Sequence, residues 1–381
     1  MSLEPEEARS LFPITDHYIH MNHAGVSPMS DRGRAAIEQV VEDMTSRPPS
    51  DRGSFDEAER LRGLIGELLN AVPETISLTR STAHGMSLLA QGLEWREGDN
   101  VVGAEWEYPA NVMPWLALEG RGVEYRAVKP AGGRVTPEAV LALIDSRTRV
   151  VALSHVQFWN GYRIDLKPIG NECRRRGIVF AVDVMQSLGA LRVDVEATPI
   201  DFCAAGAGKW LLGPPGVGFC FGRPELIGRL QPRVVGAASM KDVNYFEPKL
   251  EFPPSARRFE ESVVSRLDMA AFAAAVELIL EVGPDVIENR VLELSARLAG
   301  GLAERGYELI EPWPRAAAES SGIVSFRKPG ATAQEVLRDL NSAQIVARIH
   351  RDFVRLSPHF YNTHEEVDRV LGVLAPESVN R

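Results

Sequence analysis

Between about residues 75 and 225 the chain alternates short, unbroken apolar runs with segments whose apolar positions recur every three to four residues. The unbroken runs at 100–104, 150–155, 178–182, 202–205 and 217–221 read as strands. A strand covered on both faces has no polar face to alternate with, so it reads as continuous Val, Ile and Ala. The segments between them, 83–92, 111–118, 137–144 and 166–176, carry helical periodicity. Strands separated by helices predict an α/β class with a mainly parallel central sheet flanked by helices. Ligands of such sheets bind at the carboxyl ends of the strands. After Phe252-Pro253-Pro254 the pattern changes. Two long helices are predicted, over 265–282 and about 286–305. They are followed by a strand at 322–326, a helix at 333–340, strands at 345–347 and 354–357 and a helix at 363–374. A large domain over 15–255 and a smaller α+β domain over 256–381 are expected.

Composition narrows the class of function. At 381 residues, 45% hydrophobic and 25% charged, the chain is long enough for two domains sharing a core. A net charge of −10 argues against a nucleic-acid binder, which normally carries a basic face. The most apolar stretch, 269–280, is too short to span a bilayer and contains Glu277. The first residues, Met1 to Glu7, lack the basic patch and apolar run of a secretory signal, so a cytoplasmic protein is expected. Three separated cysteines, Cys173, Cys203 and Cys220, form no CxxC pair and no zinc spacing. That usage suits a reducing compartment.

The chemistry-bearing residues fall after the predicted strands. The run 202–205 leads into Gly206-Ala207-Gly208-Lys209-Trp210, a single lysine among small residues followed by the turn Gly213-Pro214-Pro215-Gly216. Small neighbours admit a flat ligand close to the backbone, and a desolvated lysine amine becomes a nucleophile. A phosphate-binding P-loop needs glycine six residues before the lysine and Ser or Thr after it. Those places hold Cys203 and Trp210. The carbonyl partner most often met by such a lysine is pyridoxal 5'-phosphate (PLP), held as a Schiff base. The alternative is an ordinary solvated surface charge.

Other positions supply partners for such a cofactor. The run 178–182 ends in Asp183, with Gln186 three residues on. A carboxylate there can pair with a pyridinium nitrogen, although Asp after a strand is more often a cap. Ser81-Thr82-Ala83 opens a helical run, and hydroxyls with free N–H groups at a helix start form an anion site. Tyr108 follows a strand and could stack on a ring. His155 ends another strand; alone, each would more often be structural.

Taken together, these motifs resemble the class V aminotransferases of PLP fold type I, the group that includes cysteine desulfurases, selenocysteine lyases, kynureninase and isopenicillin N epimerase. The resemblance runs from Tyr18-Ile19-His20-Met21-Asn22-His23-Ala24-Gly25 to Val354-Arg355-Leu356-Ser357-Pro358-His359-Phe360-Tyr361. It implies that Lys209 carries the cofactor and moves protons at the substrate α-carbon. It implies that Asp183 pairs with the ring nitrogen and that Gln186 helps hold the ring. Ser81, Thr82 and Ala83 would bind the phosphate, Tyr108 would stack, and His155 would lie beside the cofactor. Arg355 would pair with the carboxylate of an amino-acid substrate. A homodimer is implied, with the site at the subunit interface. Residues 1–30 would pack near the site, and Arg257, Arg258 and Ser262 would lie where a neighbouring subunit contributes to the phosphate site. The expected reaction is transamination or epimerisation, with cysteine- or selenocysteine-type β-elimination and an inactive binding scaffold as alternatives. Two departures stand out. Gly206 and Gly208 occupy places where many relatives carry serine and histidine. No cysteine occurs after Cys220, which removes the mobile thiol that desulfurases use to accept sulfur.

Overall fold

The computed structural model describes residues 3–48, 52–242 and 246–375. Residues 1–2 of the segment expected to pack near the site and 376–381 of the expected small domain lie outside the described residues. A short strand β1 (Ile19–His20) precedes the main body. Seven strands then build one sheet: β2 (Ile76–Thr79), β3 (Asn100–Ala104), β4 (Glu124–Val128), β5 (Thr148–Ser154), β6 (Val179–Asp183), β7 (Phe202–Gly206) and β8 (Gly218–Gly222). Their order is β2-β8-β7-β6-β5-β3-β4, and β8 runs antiparallel to both of its neighbours. All five strands read from the apolar runs are present. The two that were not anticipated, β2 and β4, are the edges of the sheet. Ile76-Ser77-Leu78-Thr79 alternates polar residues, and Glu124-Tyr125-Arg126 is partly exposed. An edge strand lacks the continuous apolar signature of a central one.

Strand alternation sends side chains to two cores. Val151, Leu153, Phe180, Val182, Cys203 and Phe219 face one core. Val150, Ala152, Ala181, Phe202, Ala204 and Cys220 face the other. The first core is covered in part by helices Arg52–Leu69, Leu166–Arg176 and Arg266–Val282. The second is covered by Thr82–Gly92 and shorter helices. The helix expected over 111–118 is instead a 3-10 turn, Pro109–Asn111, and a four-residue helix, Met113–Leu116. Pro109 and Pro114 each remove an N–H and confine the helix start to their own position. Helices Asp31–Ser46 and Arg52–Leu69, not anticipated from the pattern, both pack on Arg266–Val282.

A second sheet is antiparallel and belongs to the C-terminal half. After β9 (Glu308–Leu309), β10 (Val324–Arg327), β11 (Ile345–Val346), β12 (Arg348–His350) and β13 (Phe353–Leu356), its order is β12-β13-β10-β9. A third core gathers under it, filled from helices Pro284–Glu304, Ala333–Ser342 and His364–Val373. β11 is not part of this sheet. It pairs with β1, so the N-terminal segment adds Ile19 and Met21 to the same core.

Candidate active site

Register places three strand ends side by side. Ser154 at the end of β5 pairs with Asp183 at the end of β6, which pairs in turn with Ala204 on β7. Beyond β7 the chain turns sharply: the amides of Lys209 and Gly213 both donate to the Ala207 carbonyl. A cavity of about 300 Å³ opens over these ends, lined by Ser81, Thr82, Tyr108, Asp183, Gln186 and Lys209 among others. Seven of the nine residues singled out from the sequence therefore line this cavity, and an eighth, Arg355, lies immediately beside it.

The Lys209 amine lies 5.1 Å from the centre of the Tyr108 ring. Burial lowers its proton affinity, the Arg355 charge lowers it further, and Asp183 opposes both. The Asp183 carboxyl is shifted upward by burial and by the neighbouring Glu107, against the Met185 N–H that donates to it at 2.8 Å. Among the described residues neither Lys209 nor Asp183 has an ion pair within 4 Å. This is a buried carboxylate without a cation facing an amine without an anion, an arrangement that costs free energy unless a ligand completes it.

Helix Thr82–Gly92 points its first turn at the same cavity. Ser81 Oγ caps it by accepting from the His84 amide at 3.1 Å, and Thr82 Oγ1 accepts from the Gly206 amide at 3.1 Å. The remaining first-turn amides have no intrahelical acceptor and face the cavity as an anion site. The helix sits this close because residue 85 is glycine. A Cβ there would stand 2.7 Å from that of Ala204 on β7. Gln186 spends its amide on the protein: Nε2 donates to the Ala24 carbonyl, and Oε1 accepts from Trp210 Nε1.

Two expected residues stand differently. His155 does not line this cavity. Its strand neighbour Ser154 takes the inward side, and alternation turns the imidazole into a separate cavity of about 720 Å³ beside Arg163. Burial and the Arg163 cation push its pKa down to about 3, so it is a neutral structural ring. Arg355 is buried on β13 and donates from Nη1 to the Phe158 carbonyl at 2.6 Å. Phe158 lines the cavity, and the Arg355 charge reaches Lys209. Burial and Arg348 lower the guanidinium pKa to about 9, and Arg355 has no carboxylate partner among the described residues. Arg257 and Arg258 donate to the Met240 and Ile227 carbonyls and do not line this chain's own cavity.

The structure adds residues that pattern did not single out. Glu107 is buried between Trp106 and Tyr108, which are each nearly half exposed. Trp106 adopts a left-handed φ of 64°, which turns Glu107 inward. There Glu107 accepts from the Ser154 amide, the Ser154 hydroxyl and Gln157 Nε2. Gly25 and Val26 also line the cavity, and the Ser27 amide donates to the Gly208 carbonyl. A charged residue flanked by aromatic ones was the only available signal for Glu107.

The sequence model of the family described as Aminotransferase class-V matches residues 50–370. The chain belongs to the class V aminotransferases. Its relatives in this family include an isopenicillin N epimerase from Streptomyces clavuligerus, 30% identical over 97% of each chain. A probable cysteine desulfurase from Pyrococcus abyssi is 28% identical over 97% of this chain and 96% of its own. Among solved structures, the apo cysteine desulfurase of Thermococcus onnurineus superposes with a TM-score of 0.90 at 25% identity over 98% of each chain. The cystine C–S lyase C-DES superposes with a TM-score of 0.88 at 25% identity, over 96% of this chain and all of that one.

As a class V aminotransferase, the protein has the PLP fold type I architecture and is a PLP-dependent enzyme. Its residues fit that cofactor on their own chemistry. Asp183 lacks a cationic partner, Lys209 is a desolvated amine, the helix start at Ser81-Thr82-Ala83 offers free amides, and Tyr108 presents a ring face.

Proposed function

We propose that the enzyme acts at the α-carbon of an amino acid with a free carboxylate, and that the outcome is proton transfer, as in transamination or epimerisation. The carrying observation is the Lys209 amine: buried, without an ion pair among the described residues, and lowered in proton affinity by burial and Arg355. With its pKa lowered to about 8, the amine loses its proton readily and can then take one from carbon and return it. When bound, the cofactor supplies an electron sink for the pair left on the α-carbon. Asp183 would hold the cofactor's ring nitrogen in its protonated form, and the amides of Thr82 and Ala83 with Ser81 would hold the phosphate. Tyr108 would cover one ring face. Arg355, with no carboxylate of its own, would orient the substrate by a two-pronged bond to its carboxylate. Fixing that carboxylate sets which α-substituent faces Lys209.

Transfer of sulfur to an enzyme cysteine does not suit this chain, because Cys173, Cys203 and Cys220 are all buried and none lines the cavity. A second reading, direct C–S β-elimination, needs no enzyme thiol and draws on the likeness to the cystine C–S lyase. A homodimer belongs to both readings. The exposed apolar side chains of Trp106, Tyr108, Met113 and Leu116 beside the site support it.

The deciding experiment incubates the PLP-loaded protein with a panel of L-amino acids in D₂O. Proton NMR follows loss of the α-proton, while keto acid, D-enantiomer and sulfide are assayed in parallel. Exchange that disappears in Lys209→Ala, with keto acid or D-amino acid formed, is the expected result. Pyruvate and ammonia released together with sulfide from cysteine, or with cysteine persulfide from cystine, and no D-amino acid or side-chain-retaining keto acid, select the second reading. Exchange that survives in Lys209→Ala overturns the role of the lysine.

A further inference from the structure

Next to the Lys209 cavity lies another, of about 380 Å³, lined by five aromatic rings and four charged residues. Trp106 meets Trp159 edge-on at 5.0 Å, and Phe353 leans against Trp159 at 6.4 Å. His350 stands 6.2 Å from Phe353 and 5.7 Å from Phe158. Burial, together with the cations of Arg355, Arg348 and Lys209, pushes the His350 pKa down to about 4, so it presents a neutral ring. At the mouth the Arg351 guanidinium lies 5.3 Å over the Trp106 ring and has no ion pair among the described residues.

Two features join this cavity to the reacting centre. Phe158 is a wall of both cavities, and its carbonyl accepts from Arg355. Phe353 and Arg355 stand two residues apart on β13, so their side chains leave the same face of the strand. A molecule whose carboxylate sits on Arg355 therefore has Phe353 and Trp159 within reach of its side chain. The volume lies in the range of small-ligand pockets, and aromatic walls meeting edge to face select flat rings over aliphatic chains.

We propose that this cavity is the side-chain subsite of the enzyme, and that the substrate is an α-amino acid with a flat aromatic side chain lodged against Trp159 and Phe353. The assignment rests on the roles of Lys209 and Arg355 proposed above. Trp106 and Arg351 close the outer end, where the guanidinium can stack on a ring edge that extends beyond Trp106.

The test titrates the PLP-loaded protein with phenylalanine, tyrosine, tryptophan, alanine, glutamate and cystine. Two signals are read, the cofactor's visible spectrum and the quenching of protein tryptophan fluorescence. The tightest aromatic amino acid is expected to bind at least ~10-fold more tightly than alanine, the scale on which an apolar pocket discriminates. In Trp159→Ala, whose indole N–H has no partner to orphan, the aromatic-to-alanine ratio should fall to within about twofold, while Trp159→Phe keeps most of it. Arg351→Ala, an exposed change, should reduce the ratio in a protein of unaltered melting temperature. Alanine, glutamate or cystine binding as tightly as the aromatic set overturns the proposal, as does a Trp159→Ala loss equal for all ligands. If no amino acid perturbs the cofactor spectrum while fluorescence still reports aromatic binding, the reading of Lys209 and Arg355 fails and takes the subsite assignment with it.

Discussion

At the residue scale, the site is defined by charges that lack opposite numbers. Asp183, Arg355 and Glu107 are buried and Lys209 is half-buried, yet none forms an ion pair among the described residues. Glu107 is the least obvious of them. It holds the Tyr108 loop to the end of β5 through Ser154 and Gln157, and its charge adds to the upward shift of Asp183. Glu107→Gln keeps the shape and removes the like charge, so the Asp183 midpoint should fall, by on the order of one pH unit. The other charged or titratable groups facing Asp183 are Lys209 and Cys203, and neither changes. Carbon-13 NMR of aspartate-labelled apo-protein would follow the carboxyl, and an unchanged or raised midpoint would refute the coupling. The lysine itself was legible from small neighbours and a following turn. Glu107 was not, because nothing in its spacing distinguishes a buried carboxylate from a solvated one.

At the scale of elements, distant segments are clasped around Lys209. The Asn22 bridge to Ser357 and the His23 amide bond to the Ser357 carbonyl tie the N-terminal segment to the end of β13. His23 Nδ1 bonds that same carbonyl, which leaves Nε2 to accept from the Tyr361 hydroxyl. His359 Nε2 donates to the Trp210 carbonyl, one residue beyond the lysine. Both rings are held neutral: burial pushes His23 well below its usual value and His359 down to about 4. Histidine in the unfolded chain titrates near ~6.5. Between that pH and about 4 the unfolded state binds more protons, so stability is intact above ~6.5 and is lost as pH falls. Urea midpoints should therefore drop from pH 7 to pH 5, with a shallower slope in His359→Gln; equal slopes would exclude this origin. The start of helix Thr82–Gly92 makes a second element-scale prediction. Ser81→Ala removes the cap, which costs about 1 kcal/mol, and should weaken PLP binding to the apo-protein measured by equilibrium dialysis. The cap was visible as Ser-Thr before an apolar run. The clasp was not, because its partners lie between 149 and 338 positions apart in the chain.

For the whole molecule, the sheet supplies a platform and the C-terminal half supplies the groups that would select a substrate. Arg355, Phe353 and His350 all come from the second sheet. All three thiols are internal: burial pushes Cys173 and Cys220 up to about 12, and Cys203 is raised further. The native protein should leave a thiol-reactive dye unconsumed over minutes, and should release three equivalents of reaction after denaturation. A rapidly reacting native thiol would reopen sulfur transfer to the enzyme.

The amino-acid sequence by itself determined the α/β class, the five central strands and the choice of Lys209, Asp183 and Ser81 to Ala83 as candidates, which the structure gathers around one cavity. Each depends on local pattern: continuous apolar runs, and small or capping residues directly after them. Tertiary structure alone decided that His155 faces away while Ser154 faces in, since one step along a strand reverses the side chain. It also decided that Glu107 is buried and that an aromatic cavity adjoins Arg355. Those facts are set by which distant strands and loops become neighbours, and spacing along the chain carries no record of that.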